Sequence, residues 1–415
     1  MKRIGILTYH AAINFGANLQ LFSTYCYLKR NGYEPIIINW VAEDLMALYN
    51  KNMKSEQVAM HKEFISSLEI TSYCRNDKEI ADAINNYNID AIIIGSDAVV
   101  QHHTWRDNIS FPSKKIISRI QRTSDTLYPN PFWGGFQKYL INKIPVAYLS
   151  ASSQNSDYKN IDNNLKMLMC SSLVDNFVYY SVRDDWTRDM FSYITDGKVV
   201  PIVTPDPVFS VNQNIPTERI ISKEEILNRY KLNSKYILLS FLNSHCVSQA
   251  WINRFVELAN RDGFQCVAFP FPKGILFENS LEKKIDIPLP ILDWYYLIKY
   301  ASGYVGQNMH PVVVSLHNSV PFFSFDNYGI THFKLFVESR SSKIYHILNT
   351  AGFLGNRFEA RNFIKKKPSP EIVYSKILDF DYKKCSEFSS YYHDLYDKNM
   401  ESILKSLKDN IDGVQ

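Results

Sequence analysis

No run of about 18 consecutive apolar residues occurs in this chain of 415 residues, so the sequence predicts no membrane-spanning helix. Cys-x-x-Cys pairs are missing too. The six cysteines (Cys26, Cys74, Cys170, Cys246, Cys266 and Cys385) lie far apart, which fits reduced thiols in a cytoplasmic protein better than a disulfide framework or a zinc site. Neither sign of charge is in large excess. The 46 Lys and Arg against 42 Asp and Glu leave a net charge of +4, and the basic residues are scattered, so no nucleic-acid partner is expected. His10 and the pair His102-His103 have no companions at metal-ligand spacing, and no metal site is expected. The opening Met1-Lys2-Arg3-Ile4-Gly5-Ile6-Leu7-Thr8 has too short an apolar run for a signal peptide and reads as a first strand.

What is present is the composition of a globular protein, 46% hydrophobic and 21% charged, with 27 Tyr and 25 Phe. A chain this long exceeds one ordinary core, and two domains are the default. Ile4–Thr8, a helical pattern from about Ala17 to Asn31-Gly32, and the continuous apolar run Pro35–Trp40 make a βαβ opening. Strand runs follow at Ile89–Ile94, Val146–Leu149, Phe177–Val182 and Val199–Val203. The polar stretch Asn212–Glu224 marks a domain boundary. The second half repeats the scheme, with strands at Tyr236–Leu242 and Gln265–Phe269, a helix at Asp293–Tyr300 capped by Asp293, and a strand ending at Val305. A last helix is expected over Glu387–Leu407. The predicted class is α/β, with two doubly wound Rossmann-like domains (1–215, with an insertion at about 107–143, and 216–365), a C-terminal helical segment (366–415) and a ligand cleft between the domains.

The centre of this pattern is Gly303–Gly329. Gly306 turns the chain after a buried strand, and His310 then stands just before a predicted helix whose first turn holds Pro311. That is where open α/β sheets place ligands, and the free N–H groups there favour an anion. His310 could be a proton-transfer group or a hydrogen-bonded structural histidine. The Asn14–Gln20 loop could contact a ligand or simply turn and cap a helix. Gly95-Ser96-Asp97 could bind a hydroxyl or only end a strand. Arg183, after a buried strand, is either an anion clamp or half of an ion pair with Asp184 or Asp185. Asp206, between Pro205 and Pro207, has the look of a turn residue.

Taken in order, these segments resemble the polysaccharide pyruvyl transferase family over about residues 3–356. The matching elements are Asn14, Gly16, Ala17, Leu19 and Gln20; Gly95-Ser96-Asp97; Ser181-Val182-Arg183-Asp184; Asp206-Pro207; Asn308-Met309-His310 through Ser315 to Pro321; and Ser342-Lys343-Ile344. The resemblance implies a GT-B-like fold and transfer of pyruvyl from phosphoenolpyruvate to hydroxyls of a bacterial surface polysaccharide or its lipid-linked precursor, commonly as a ketal. It implies no further cofactor. By the same resemblance His310 transfers protons and Arg183 clamps the anion. Asn308, Ser315, Lys334 and Lys343 stand on the donor side, and Asn14, Gln20, Ser96 and Asp97 on the acceptor side.

One departure stands out. Many family members carry Arg two places before the histidine and Gly just after it, where this chain has Asn308 and Pro311. Arg183, Lys334 or Lys343 must then supply the missing cation, or activity is altered. Two other classes stay open: a GT-B glycosyltransferase using a nucleotide sugar, and a non-catalytic saccharide-binding relative. Residues 111–143 mix Lys114, Lys115, Arg119 and Arg122 with Phe111, Tyr128, Phe132, Trp133, Phe136 and Tyr139. They read as a solvated insertion in preference to a surface touching an anionic membrane from the cytoplasmic side.

Overall fold

The computed structural model describes residues 2–103, 109–110, 118–119, 123–241, 246–271, 281–332, 336–362 and 364–412. Two six-stranded parallel sheets carry the chain. The first holds β1 (Arg3–Leu7), β2 (Glu34–Ile37), β3 (Ala91–Asp97), β4 (Val146–Ala151), β5 (Tyr179–Val182) and β6 (Ile202–Val203), in spatial order 2-1-3-4-5-6. The second holds β7 (Tyr236–Ser240), β8 (Gln265–Ala268), β9 (Lys283–Lys284), β10 (Gly303–Gly306), β11 (Phe322–Asp326) and β12 (Arg357–Glu359), in order 9-8-7-10-11-12. Both orders are doubly wound. The inner strands read as unbroken apolar runs because helices cover both faces. Ile92, Ile93 and Ile94 are all fully buried.

Several predicted elements shift. Gly95-Ser96-Asp97 belongs to β3 rather than to a turn after it. The expected Val199–Val203 strand shrinks to Ile202–Val203, an edge pair preceded by Pro201, which has no N–H to give a ladder. Asp293 is not a cap. Helix Ile291–Lys299 starts after Pro290, and Asp293 in its first turn accepts from Arg229 at 2.8 and 2.7 Å. Within the insertion, Phe132, Trp133 and Phe136 are core side chains of the first lobe, packed with Trp40 and Tyr148, so these aromatics cannot face a membrane. Tyr139 remains half-exposed; Phe111, Lys114, Lys115 and Arg122 lie outside the described residues.

The two lobes are closed on each other. Helix α1 (Phe15–Arg30) lays Phe15, Leu19 and Phe22 into the same core as the second-lobe helices, and Phe15 stacks on Trp294 with centroids 5.3 Å apart. Gln57 exchanges two hydrogen bonds with the backbone of Leu289. The predicted terminal helix is longer than expected, Tyr382–Asp412, and it straps the lobes. Phe388 and Tyr392 join the second-lobe core, while Tyr396, Met400, Ile403 and Leu407 pack under the first sheet with Ile4, Ile6 and Leu149. No described helix is long and apolar enough to cross a membrane.

Candidate functional site

The carboxyl ends of both sheets meet where α1 and three later helices begin. Helix α2 (Met309–His317) starts two residues after β10 and carries His310 in its first turn. The imidazole projects onto the first turn of α1. A Cβ on Gly16 would lie 2.5 Å from His310 Cδ2 and closer still to Cγ and Nδ1, so only glycine lets the ring rest there. Asn14 is the N-cap of that helix, its Oδ1 accepting from the backbone N–H groups of Gly16 at 3.0 Å and Ala17 at 3.4 Å. The second-lobe histidine is therefore seated on a first-lobe helix start.

Arg183 extends from the end of β5, and β6 is its neighbour in the sheet, so Arg183 and Asp206 are brought side by side. Arg183 Nη1 donates to Asp206 Oδ2 at 2.9 Å, and Nη2 lies 3.5 Å from Asp97 Oδ1. Asp206 also accepts from Gln20 Nε2 at 2.6 Å and from the Val208 amide at 3.0 Å. The sequence reading of an Arg183 pair with Asp184 or Asp185 is thus corrected. Asp184 caps the next helix through the Thr187 amide, and Asp185 meets Arg188 and His346. Asp206, expected to be only a turn residue, is the main partner of Arg183. One signal pointed to it: a buried guanidinium requires a carboxylate, and adjacent strands end at Arg183 and Asp206.

One edge of the Arg183 fork stays open. Nε and Nη2 are buried, and neither has a hydrogen-bond partner. These two N–H groups point the same way, the geometry that takes a carboxylate or phosphate with two parallel bonds. His310 Nε2 is likewise buried without a partner. Lys343, the first residue of helix α3 (Lys343–Thr350), is buried with its ammonium 4.8 Å from the Tyr328 ring centroid.

Burial dominates the protonation states. It drives the His310 imidazole down to about 4, against the pull of Asp206 and Asp97, so the ring is neutral near pH 7. It also lowers the Lys343 ammonium to about 8, helped by Arg183 and opposed by Asp97 and Asp206. Burial pushes the Asp97 carboxyl up, but Arg183, Lys343 and His310 outweigh it and hold the group below its ordinary value. The Arg183 guanidinium loses by burial and gains more from Asp206 and Asp97, so it stays charged.

The structure brings together His310, Arg183, Asp97, Lys343 and, through Asp206, Gln20. Two other expected site residues, Ser96 and Asn14, have structural partners instead. Ser96 Oγ donates to the Ser150 carbonyl at 3.1 Å, and Asn14 is spent on its cap. Ser315 is fully buried a turn further along α2, with no partner on its hydroxyl. Asn308 precedes α2 without making a capping bond, and its Nδ2 is buried and unpartnered. Lys334 lies outside the described residues. Gly16 was legible only as part of a loop, because its role depends on a residue 294 positions away. The expected cleft is shut here: His310 is 4% exposed, and a small cavity of only about 10 Å³ nearby is lined by Arg183, Asp206, Met309, Lys343 and His346 among others. Arg340 pairs with Asp189 at 2.8 Å, and His346 with Asp185 at 3.3 Å, each linking the lobes.

Among solved structures, the UDP-GlcNAc 2-epimerase of Neisseria meningitidis bound to UDP-GlcNAc matches at 12% identity and TM-score 0.51, covering 98% of this chain and all of that one. The UDP-N-acetylglucosamine 2-epimerase of Rickettsia bellii matches at 10% identity and TM-score 0.52, covering 100% and 98%. UGT73P12 of Glycyrrhiza uralensis, complexed with glycyrrhetinic acid 3-O-monoglucuronide, matches at 9% and 0.51, covering 99% and 96%. At such identities these likenesses establish the GT-B-like fold and nothing about the ligand. No curated protein matches the sequence. The family model for polysaccharide pyruvyl transferase matches residues 14–328, a span that runs from the cap of α1 through Asp97, Arg183, Asp206 and His310 to Tyr328. This chain belongs to the polysaccharide pyruvyl transferase family.

Proposed function

We propose that the chain transfers the pyruvyl group of phosphoenolpyruvate to hydroxyls of a saccharide, forming a pyruvate ketal. The observation that carries this reading is the pair of unspent groups at the lobe junction. The Nε and Nη2 edge of Arg183 is free to take a carboxylate with two bonds, beside a neutral His310 whose Nε2 is also free. Arg183 and Lys343 supply the positive charge that Asn308 does not.

The chemistry balances on these groups. A neutral imidazole accepts the proton of the attacking saccharide hydroxyl as its oxygen bonds to the enol carbon that bears the phosphate. The proton so taken is what the neighbouring methylene carbon needs to become the methyl group. A second hydroxyl then displaces phosphate from the same carbon, its proton leaving with the departing phosphate, which closes the ketal and releases inorganic phosphate. Lys343 and Arg183 stabilise the phosphate oxygens as they depart. Because the ring is buried when the lobes are closed, substrates bind with the lobes apart and are enclosed as they close.

Purified protein incubated with phosphoenolpyruvate and a panel of saccharide acceptors should release phosphate and form ketal, and His310→Ala should abolish both while unfolding at the wild-type temperature. Saturable nucleotide-sugar binding, with no phosphoenolpyruvate binding and no phosphate release, would replace this reading with that of a glycosyltransferase.

A further inference from the structure

A cavity lies at the opposite end of the second sheet from His310. It is an open groove of about 480 Å³, bounded by the residues that lead into β7, β10 and β11, namely Lys235, Ser302 and Pro321, whereas His310 follows the carboxyl end of β10. Three lysines line it, Lys223, Lys235 (its ammonium over the Phe264 ring) and Lys299, and no acidic residue does. Lys299 is half-buried, donates to Asn212 Oδ1 at 2.7 Å and lies against the Tyr296 and Tyr300 rings, and among the described residues it has no ion pair. Glu224 acts on Tyr300 from outside the lining. Tyr300, Phe264 and the exposed Tyr382 give the groove flat apolar walls.

Lysine ammonium groups without internal counter-ions call for an anion, and tyrosine faces in an open groove accept the apolar faces of sugar rings. A nucleotide base would require a more enclosed slot. The proposed transfer leaves one carboxylate on every saccharide unit it modifies. We propose that this groove holds a carboxylate-bearing saccharide segment, the modified part of the acceptor, while an unmodified unit is at His310. The proposal rests on the pyruvyl-transfer reading for its source of carboxylate. Lys223, Lys235 and Lys299 take the carboxylates, and Tyr300 and Tyr382 take the ring faces.

The test uses the full chain and two probes: oligosaccharide fragments of a pyruvylated bacterial polysaccharide, and the same fragments after mild-acid removal of the ketals. Titration calorimetry should show wild-type and His310→Ala protein binding the ketal-bearing fragments equally. The Lys223→Gln/Lys235→Gln double variant, changed at surface side chains alone, should bind them about tenfold more weakly, and the stripped fragments should bind wild type with a similar loss. Equal binding of both fragments, undiminished binding by the double variant, absence of binding, or tighter competition by ATP than by the fragments would each overturn the proposal. Phosphate release from phosphoenolpyruvate is scored separately. A groove that binds in a protein that releases none would sink the transfer reading and leave the anionic saccharide site standing.

Discussion

Gly16→Ala moves the His310 imidazole, the proposed proton-transfer group, without removing it. The added Cβ would lie 2.5 Å from His310 Cδ2, and ordinary contact begins at about 3.4 Å, so the ring must withdraw by about 0.9 Å or more. Little space receives it, since Met309, Pro311 and Val312 around it are buried. A displacement of about 1 Å at a reacting group costs on the order of 100-fold in rate, equivalent to about 2.7 kcal/mol. Stability should change by no more than a few kcal/mol. Alanine favours the helix by up to about 1 kcal/mol, and overpacking opposes it by about 1–3 kcal/mol, for a net loss of about 0–3 kcal/mol. Phosphate release from phosphoenolpyruvate, measured beside thermal unfolding, should therefore fall about 100-fold in a protein that still folds. Activity within twofold of wild type would refute the reasoning, because the ring would then do its work away from α1.

Arg183→Lys keeps one charge but cannot bridge Asp206 and Asp97 while presenting a two-bond edge, so the KM for phosphoenolpyruvate should rise at least tenfold. Unchanged KM would remove Arg183 from donor binding. Arg183→Met leaves two buried carboxylates uncompensated and should cost about 3–5 kcal/mol in a denaturant titration; a loss below about 1 kcal/mol would show that water reaches the pair. The rate should rise through about pH 4 as His310 loses its proton and fall above about pH 8 as Lys343 loses its own, and the upper limb should vanish in Lys343→Met. An inflection near the ordinary histidine value of 6.5 would contradict the burial argument. Stability carries the same signature. Between about pH 4 and 6.5 the unfolded chain holds the His310 proton and the folded one does not, so stability should rise with pH across that window, by an amount reduced in His310→Phe.

The fold was legible because each inner strand is short, apolar on both faces and followed by polar turn residues, a pattern that parallel sheets impose locally. Ile92–Ile94 and Val146–Leu149 could hardly be anything else. Strand ends were less legible, since the Gly95–Asp97 extension depends on pairing with β4, where Gly95 stands opposite Leu149 and Asp97 opposite Ala151. His310 was found from its place before a helix. Its seat on Gly16 was not, because nothing in either segment records the other lobe. Arg183 could be recognised as needing a partner, yet its nearest acids in sequence, Asp184 and Asp185, are drawn to a helix cap and to His346. The choice of Asp206 is a property of strand order, which sequence spacing does not contain.

On the proposed transfer reading, the charge of the closed site favours donor binding with the lobes apart. Asp97, Asp184 and Asp206 face Arg183 and Lys343, and with His310 neutral the formal sum is one negative charge. A phosphoenolpyruvate anion meeting that cluster unaided would be repelled. The helix start after Asn308 offsets part of this, since no side chain caps it and its first N–H groups carry partial positive charge. The larger gain comes from separation. His310 and Lys343 belong to the second lobe and the three carboxylates to the first, so opening withdraws the repelling groups from the donor's neighbours and leaves Lys343 free to meet the phosphate. Closure then returns Arg183 with its unspent edge, and the incoming carboxylate takes up donors that Asp97, 3.5 Å away, engages only weakly. On this account the donor binds to the second lobe first, so high salt should weaken donor binding through Lys343 while the Arg183–Asp206 pair, dry at both ends, stays intact.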